Sequence, residues 1–395
     1  MLKLIQSKLE DPNEPFLGPN LKSLHFWGII LPNNAFKRKI YMCMHASLLL
    51  FASIVYVDIW FIRSDFDLLL KSIKYNLLTT INCVKIVTFV AWQGEWLDVI
   101  KYVSDADKKS RAKNNEVQNG IIQSYTRYCR VVTYSYWFLT CCTVLTVVLQ
   151  PIAKYCFSPA YRESVRNGSE LFDQVLSHKA PFNYDHVPEY IIALTYTTWA
   201  TVYAGGLINS FDTISICIMV FFKGELQLLE NSCTMLFEEG DKGSVFRNVR
   251  ECQNRHAELV KYASVFNGCL SPIMFLYVLV TSFGLCASVY QITIETSTMQ
   301  RLLTAEYAIF GVAQLLFYCW HGHDVIHASH SPMRGVYESG WWKHNHCRKE
   351  ILLLTGQLDQ RVYFTAGPFF NLTLGSFVNI LKGAYSYYTL ITQKQ

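Results

Sequence analysis

The sequence predicts an all-α polytopic membrane protein with seven transmembrane helices. Its N-terminus is expected in the cytoplasm, its C-terminus outside, and its seventh segment is expected to break into an inner and an outer piece. Three observations carry that reading. Of the 395 residues, 51% are hydrophobic and only 16% charged, against about 25% charged in an ordinary soluble domain, and mean hydropathy is +0.17. Several uncharged runs reach the roughly 20 residues that a helix needs to cross a hydrocarbon core. Lys and Arg divide unevenly between two alternating sets of linkers, which sets orientation.

Composition also excludes classes. The net charge of +5 is small and dispersed, not the footprint of a nucleic-acid binder. The 13 cysteines scatter as singles, many inside apolar runs, with no metal-type spacing. The first 35 residues lack a charged region ahead of an apolar stretch, so no cleaved signal peptide is expected.

In chain order, residues 1–36 read as a cytoplasmic N-terminus and 37–323 as segments one to six. Segment one is the 18-residue run Ile40–Val57. Segment two, Tyr75–Trp92, is apolar apart from Lys85. A lysine inside a span costs a few kcal/mol unless it snorkels or faces protein. Lys85 is therefore expected to meet a backbone carbonyl or a carboxylate. Segment three is Val131–Ala153 and segment four Tyr190–Phe211, uncharged runs of 23 and 22 residues. Segment five is Tyr262–Ile294, 33 residues, and segment six is Tyr307–His323 with a start near Leu302. The 223–261 linker is helical in pattern: Phe246, Val249, Cys252, His256 and Leu259 recur at three- and four-residue steps.

Residues 324–395 comprise another cytoplasmic linker and the seventh segment. Its uncharged run Val362–Leu381 is interrupted by Gly367-Pro368, where proline removes a backbone donor and clashes with the preceding turn. The outer helix is expected over 368–392. It carries Asn371, Ser376, Asn379, Gly383, Ser386 and Thr389, a polar load that suits close packing or a water-filled path.

Orientation follows from 23 Lys and Arg on residues 1–39, 94–130, 223–261 and 324–350, against 8 on the intervening links and the C-terminal end. This is opposite to a G-protein-coupled receptor. The sequon Asn167-Gly168-Ser169 then falls outside, where Asn167 is a candidate glycosylation site.

The tail Tyr385-Ser386-Tyr387-Tyr388-Thr389-Leu390-Ile391 resembles the C-terminal motif of insect odorant receptors, as do Tyr318-Cys319-Trp320-His321-Gly322, Tyr337-Glu338-Ser339 with Trp341, and Thr365-Ala366-Gly367 before Pro368-Phe369-Phe370. The likeness covers Tyr318 to Ile391 in detail. It implies a subunit of a ligand-gated, non-selective cation channel in the plasma membrane of a sensory-neuron dendrite. That subunit would assemble as a heterotetramer with the odorant receptor co-receptor, bind a small volatile organic ligand in the outer half of segments two, three, four and six, and line a central pore with its last helix. Membrane lipid and permeant cations are the other implied partners; no nucleic acid and no cofactor is expected. Gustatory receptors of the same superfamily are the alternative. Along one face of the outer helix, the candidate pore and gate positions are Gly383, Ser386, Tyr387, Leu390, Gln393 and Lys394, with Leu390 the candidate apolar gate.

A volatile ligand calls for a closed, mostly aromatic cage with few polar groups. The candidate ligand residues are Tyr75 in segment two, Trp137 and Phe138 in segment three, Tyr196, Thr197, Trp199 and Tyr203 in segment four, and Tyr307, Phe310 and Gln314 in segment six. The His321, His323, His327 and His330 cluster is the one competing signal, because His-rich boxes also mark membrane di-iron enzymes. Such enzymes need paired His-His boxes, which this chain lacks, so no catalytic or metal-binding residue is assigned.

Overall fold

The computed structural model describes residues 10–62, 66–113, 115–167, 172, 187–238, 242–295 and 297–392. It is almost entirely helical. A short helix α1 (Gly18–Phe26) precedes α2 (Ala35–Ile62) and α3 (Phe66–Ala91). Then come α4 (Gln93–Arg111), α5 (Glu116–Phe157), the short α6 (Pro159–Arg166) and α7 (Val187–Thr234). The chain continues with α8 (Lys242–Ile294), α9 (Thr298–Ala328), α10 (Ser331–Glu338), α11 (Arg348–Leu358) and α12 (Leu374–Thr392).

Among the described residues, five helices are long and apolar enough to cross a membrane, or six if α3 and α4, bent by 79° at their junction, count as one span. α12 carries Asn379 and Lys382 among its apolar residues. The expected cytoplasmic linkers are not loops. α5, α7 and α8 hold 42, 48 and 53 residues, roughly 63, 72 and 80 Å at 1.5 Å each. A hydrocarbon core is about 30 Å thick, so each helix runs well beyond it. At the start of α5 the Asn115 side chain accepts hydrogen bonds from the Val117 and Gln118 amides, at 3.0 and 3.3 Å, satisfying donors that the first turn leaves open. The predicted stripe on α8 largely holds. Val249, Cys252, His256 and Leu259 are buried and only Phe246 is exposed. Val249 and Cys252 pack with Leu229, Ile351 and Leu354 in a satellite core between α7, α8 and α11.

α7 is the axis of the bundle. Every residue from 209 to 222 is buried, and α1, α5, α9 and α10 all pack against it. The N-terminal segment is part of this core rather than a free tail. Phe16, Leu17 and Leu24 are buried. Ser23 and Ser210 hydroxyls meet at 2.6 Å, Asn20 Nδ2 donates to Cys217 Sγ at 3.1 Å, and Arg130 donates to the Phe16 and Pro15 carbonyls at 2.6 and 2.7 Å. Gly206 serves this docking, since a Cβ there would stand 2.1 Å from the Trp27 ring, while Gly205 lets α5 approach, with Val144 2.7 Å from where its Cβ would stand.

The seventh segment breaks as expected, but over a longer stretch. α11 ends at Leu358, and the chain then runs through a two-residue hairpin, β1 (Thr365–Ala366) against β2 (Phe370–Asn371), paired Thr365 with Asn371 and Ala366 with Phe370. The outer helix starts at Leu374, not at the expected Pro368, so the run Val362–Leu381 is only partly helical. The reason is local. Gly367 takes φ +63°, a conformation in which glycine has no side chain to clash. Its amide donates to the Ser271 carbonyl and hydroxyl at 3.0 and 2.9 Å, and the Thr365 amide donates to Asn267 Oδ1 at 2.8 Å. α8 thus supplies the acceptors that a helix would have supplied internally. α12 is 19 residues long, roughly 28 Å, and packs on α8 and α9.

Candidate ligand site

Lys85 meets a carboxylate. The uncharged run of segment four stops one residue short of Asp212, and α7 carries that aspartate into the centre of the bundle. Lys85 Nζ lies 2.6 Å from Asp212 Oδ1, with the two side chains 2% and 0% exposed. Charges taken out of water need hydrogen-bond partners, and the Asp212 carboxylate has four donors, Lys85 among them. Tyr318 donates to Oδ1 at 2.6 Å, Tyr136 donates to Oδ2 at 2.9 Å, and Gln314 Nε2 also donates to Oδ2. Lys85 Nζ also sits over the Phe211 and Tyr277 rings, 5.4 and 5.3 Å from their centroids, a favourable setting for a cation. One carboxylate therefore ties α3, α5, α7 and α9 together.

Beside this cluster lies a small cavity of about 20 Å³ between α3, α8 and α9. Its walls are aliphatic and aromatic. Leu78 and Ile81 come from α3, Tyr277 and Thr281 from α8, and Tyr307 and Phe310 from α9, with Gln314 closing the end nearest Asp212. Gln314 is committed on both sides, because its Oε1 accepts from the Tyr277 hydroxyl at 3.0 Å while its amide faces Asp212.

Three of the predicted ligand residues, Tyr307, Phe310 and Gln314, thus come together around one cavity. Others do not. Tyr196, Trp199 and Tyr203 share a face as their spacing requires and form a stacked ladder, with centroids 5.9 and 5.3 Å apart. That ladder faces α2: the Tyr196 hydroxyl pairs with Ser47 at 3.1 Å and the Tyr203 hydroxyl with His45 Nδ1 at 3.0 Å. Thr197 is buried and donates to the Ala193 carbonyl at 2.9 Å. On α5 the inward residue is Tyr136, whose ring lies 6.0 Å from Phe310. Phe138 is 73% exposed, and Trp137 packs on Tyr134 at 6.0 Å. A helix turns about 100° per residue, so a choice between neighbours decides which one faces in. The Tyr75 side chain lies outside the described residues. The cavity is therefore bounded by segments two, five and six rather than two, three, four and six. Tyr277 and Thr281 of segment five carry no sequence signal beyond apolar surroundings. Asp212 carried one: it is the first charge after a 22-residue uncharged run.

Among the histidines, His321 is buried, with Nε2 3.1 Å from the Tyr128 hydroxyl and Nδ1 2.6 Å from the Phe317 carbonyl. Among the described residues no three His, Cys, Asp or Glu side chains converge to hold a metal. On α12, Ser386 and Tyr387 are exposed, and a Cβ on Gly383 would meet nothing within 4 Å. The Leu390 side chain, Gln393 and Lys394 lie outside the described residues. Asn167 is exposed at the end of α6; Gly168 and Ser169 of its sequon are outside the described residues.

The fold has close counterparts. The structure of the insect olfactory receptor OR5 from Machilis hrabei in complex with eugenol superposes with a TM-score of 0.80, covering 98% of this chain and all of that one at 16% identity. In sequence, the chain is 26% identical over 211 residues to odorant receptor 22c of Drosophila melanogaster, covering 51% of this chain and 52% of that receptor. It is 24% identical over 166 residues to odorant receptor Or2 of Anopheles gambiae, covering 42% and 44%. The chain thus spans about half the length of these two relatives. The odorant receptor coreceptor of Anopheles gambiae matches at 25% identity over 141 residues, 35% of this chain and 30% of that one. The family model "7tm Odorant receptor" matches residues 65–385, which runs from α3 into α12 and takes in both the Asp212 cluster and the cavity, and so the chain belongs to the seven-transmembrane odorant receptor family.

Proposed function

We propose that this chain is the odorant-binding subunit of a ligand-gated, non-selective cation channel, with a small, neutral, weakly polar volatile molecule bound between α3, α8 and α9 and a pore lined by α12. The observation that carries the reading is the cavity. It opens only part-way to the surface of the bundle, is lined by aliphatic and aromatic side chains, and its nearest polar groups are already hydrogen-bonded to one another. A site of that kind favours ligands whose affinity comes from apolar burial, and it rejects ions. The OR5 structure holds eugenol, a molecule of that kind. At about 20 Å³ the cavity has room for about one water, so a ligand enters only as the walls move.

The channel reading is supported by α12, whose exposed positions Asn379, Lys382 and Ser386 form a polar stripe at helical spacing, while Ile380 and Ala384 are buried. Co-receptor likeness in sequence supports a heterotetramer with the odorant receptor co-receptor in the plasma membrane, with the N-terminus cytoplasmic as the charge count requires. Membership in a receptor family sets the enzyme alternative aside.

Whole-cell recording with and without the co-receptor, under a block of G-protein signalling, tests this. The expected result is a ligand-evoked current that needs the partner and survives the block. A current abolished by the block would make the chain a metabotropic receptor instead.

A further inference from the structure

Resting on that reading, we propose that Asp212 is the positioning residue that couples the ligand cavity to the last helix, acting through the bonds it makes to α9. Gln314, Tyr318 and Gly322 follow one another at four-residue steps and so lie on one face of α9. Gln314 lines the cavity and donates to Asp212. Tyr318, one turn on, donates to the same carboxylate at 2.6 Å. Gly322, a further turn on, lies so close to the entry of α12 that a Cβ there would stand 2.5 Å from the Leu372 carbonyl oxygen and 2.8 Å from its Cβ. The cavity, the buried anchor and the start of the last helix are therefore three stations on one stiff rod, roughly 12 Å from first to last.

Because the cavity is so small, binding must displace its walls, and three of them, Tyr307, Phe310 and Gln314, belong to that rod. Asp212 resists the displacement. The carboxylate is held in turn by Lys85 from α3 and Tyr136 from α5, so α9 is anchored to the rest of the bundle at this point. Close packing carries a shift of the rod into Leu372 with little loss. The strength of the two bonds from α9 to Asp212 then sets how much ligand is needed to move the last helix.

The symmetry of the cluster supplies the test. Each oxygen of Asp212 has one tyrosine hydroxyl and one other partner, so Tyr318→Phe and Tyr136→Phe remove equivalent bonds from equally buried sites, one from α9 and one from α5. Both variants are co-expressed with the co-receptor, and ligand dose–response curves are normalised to surface protein. A purely structural cluster responds alike to the two changes. Coupling through α9 predicts that Tyr318→Phe lowers the half-maximal ligand concentration by about fivefold and raises the ligand-free share of the maximal current, while Tyr136→Phe, which leaves Asp212 held by Lys85 and keeps both bonds from α9, stays within about twofold of the parent. Equal shifts in both variants, no shift in Tyr318→Phe, or a rise in its half-maximal concentration would overturn the inference. Should Tyr318→Phe reach the surface poorly, Gln314→Leu, which cuts the other α9 bond, gives the same reading of ligand-free current. A parent protein that gives no ligand-evoked current with the co-receptor refutes the proposed function itself, an outcome separate from all of these.

Discussion

Lys85 and Asp212 face each other across two helices in a region that water does not reach, and each makes sense only with the other. Burying a lone charge is far more costly than burying a satisfied pair. Removing one member of a buried pair typically costs about 3–5 kcal/mol, whereas replacing both with apolar residues of similar volume is often neutral or better. Lys85→Met and Asp212→Leu are therefore each expected to lose most of the surface protein, because either leaves an unpaired charge among Phe211, Tyr277 and Tyr318. The double variant should recover about half of the parental surface level or more, as read by labelling intact cells. If the double variant is as poor as the singles, the hydroxyls and amide around Asp212 hold the fold, not the charge pair. The same residue scale governs the cavity. Trp199 stacks between Tyr196 and Tyr203 on the far side of α7, so Trp199→Ala should leave the rank order of a ligand panel unchanged. Phe310→Ala, which removes a wall, should shift that order toward bulkier molecules. A rank order that moves with Trp199 and not with Phe310 would place the ligand against α2 instead.

At the scale of elements, the hairpin between α11 and α12 is the feature where sequence and structure differ most instructively. A Gly-Pro pair inside an apolar run announces a break, and the break is there. Its length was not legible, because the acceptors that let the chain stay extended, Asn267 and Ser271, lie about a hundred positions away on α8. Local signals report what a helix cannot do; they do not report which distant groups will satisfy the freed amides. Gly367 is the pivot. Its φ of +63° and the Phe275 ring, 2.9 Å from where a Cβ would stand, leave no place for a side chain. Gly367→Ala should cost about 1–2 kcal/mol in backbone strain alone, before any contact with Phe275. A lowered melting midpoint for the detergent-purified protein would show it. Gly356→Ala in the last turn of α11 is the control. A Cβ there meets nothing within 4 Å, and alanine is the better helix former by about 1 kcal/mol, so that variant should be as stable as the parent or more so.

For the whole molecule, class and element order were readable because a bilayer imposes a coarse rule on composition, and uncharged runs obey it. Which faces turn inward was readable only in part. Tyr307, Phe310 and Gln314 face the cavity, but Phe138 faces out, since two positions along α5 separate the buried Tyr136 from an exposed surface. Segment five was overlooked as a wall because its exposed residues Leu276, Leu279, Phe283 and Val289 are as apolar as its buried ones, so its sequence shows no preferred face. The same limit applies to α12, whose single-chain surroundings leave one side open. Ile380 and Ala384 are buried against the bundle, while Asn379, Lys382, Ser386 and Tyr387 are exposed. One chain cannot enclose a conducting path with a single helix face. Several copies around an axis can, and the open face of α12 is the surface that they would turn toward it. Ser386→Cys should then place a thiol in the ion path, and a charged methanethiosulfonate reagent should cut the ligand-evoked current by more than about half. Ala384→Cys, two positions earlier and buried, should escape. The parent supplies the background, because its exposed cysteines Cys43, Cys141 and Cys156 lie elsewhere in the bundle. Biotin capture reports whether Ser386→Cys has reacted. A labelled thiol with an unchanged current would mean that this face of α12 meets lipid or a neighbouring helix, and the pore would have to be sought on another element.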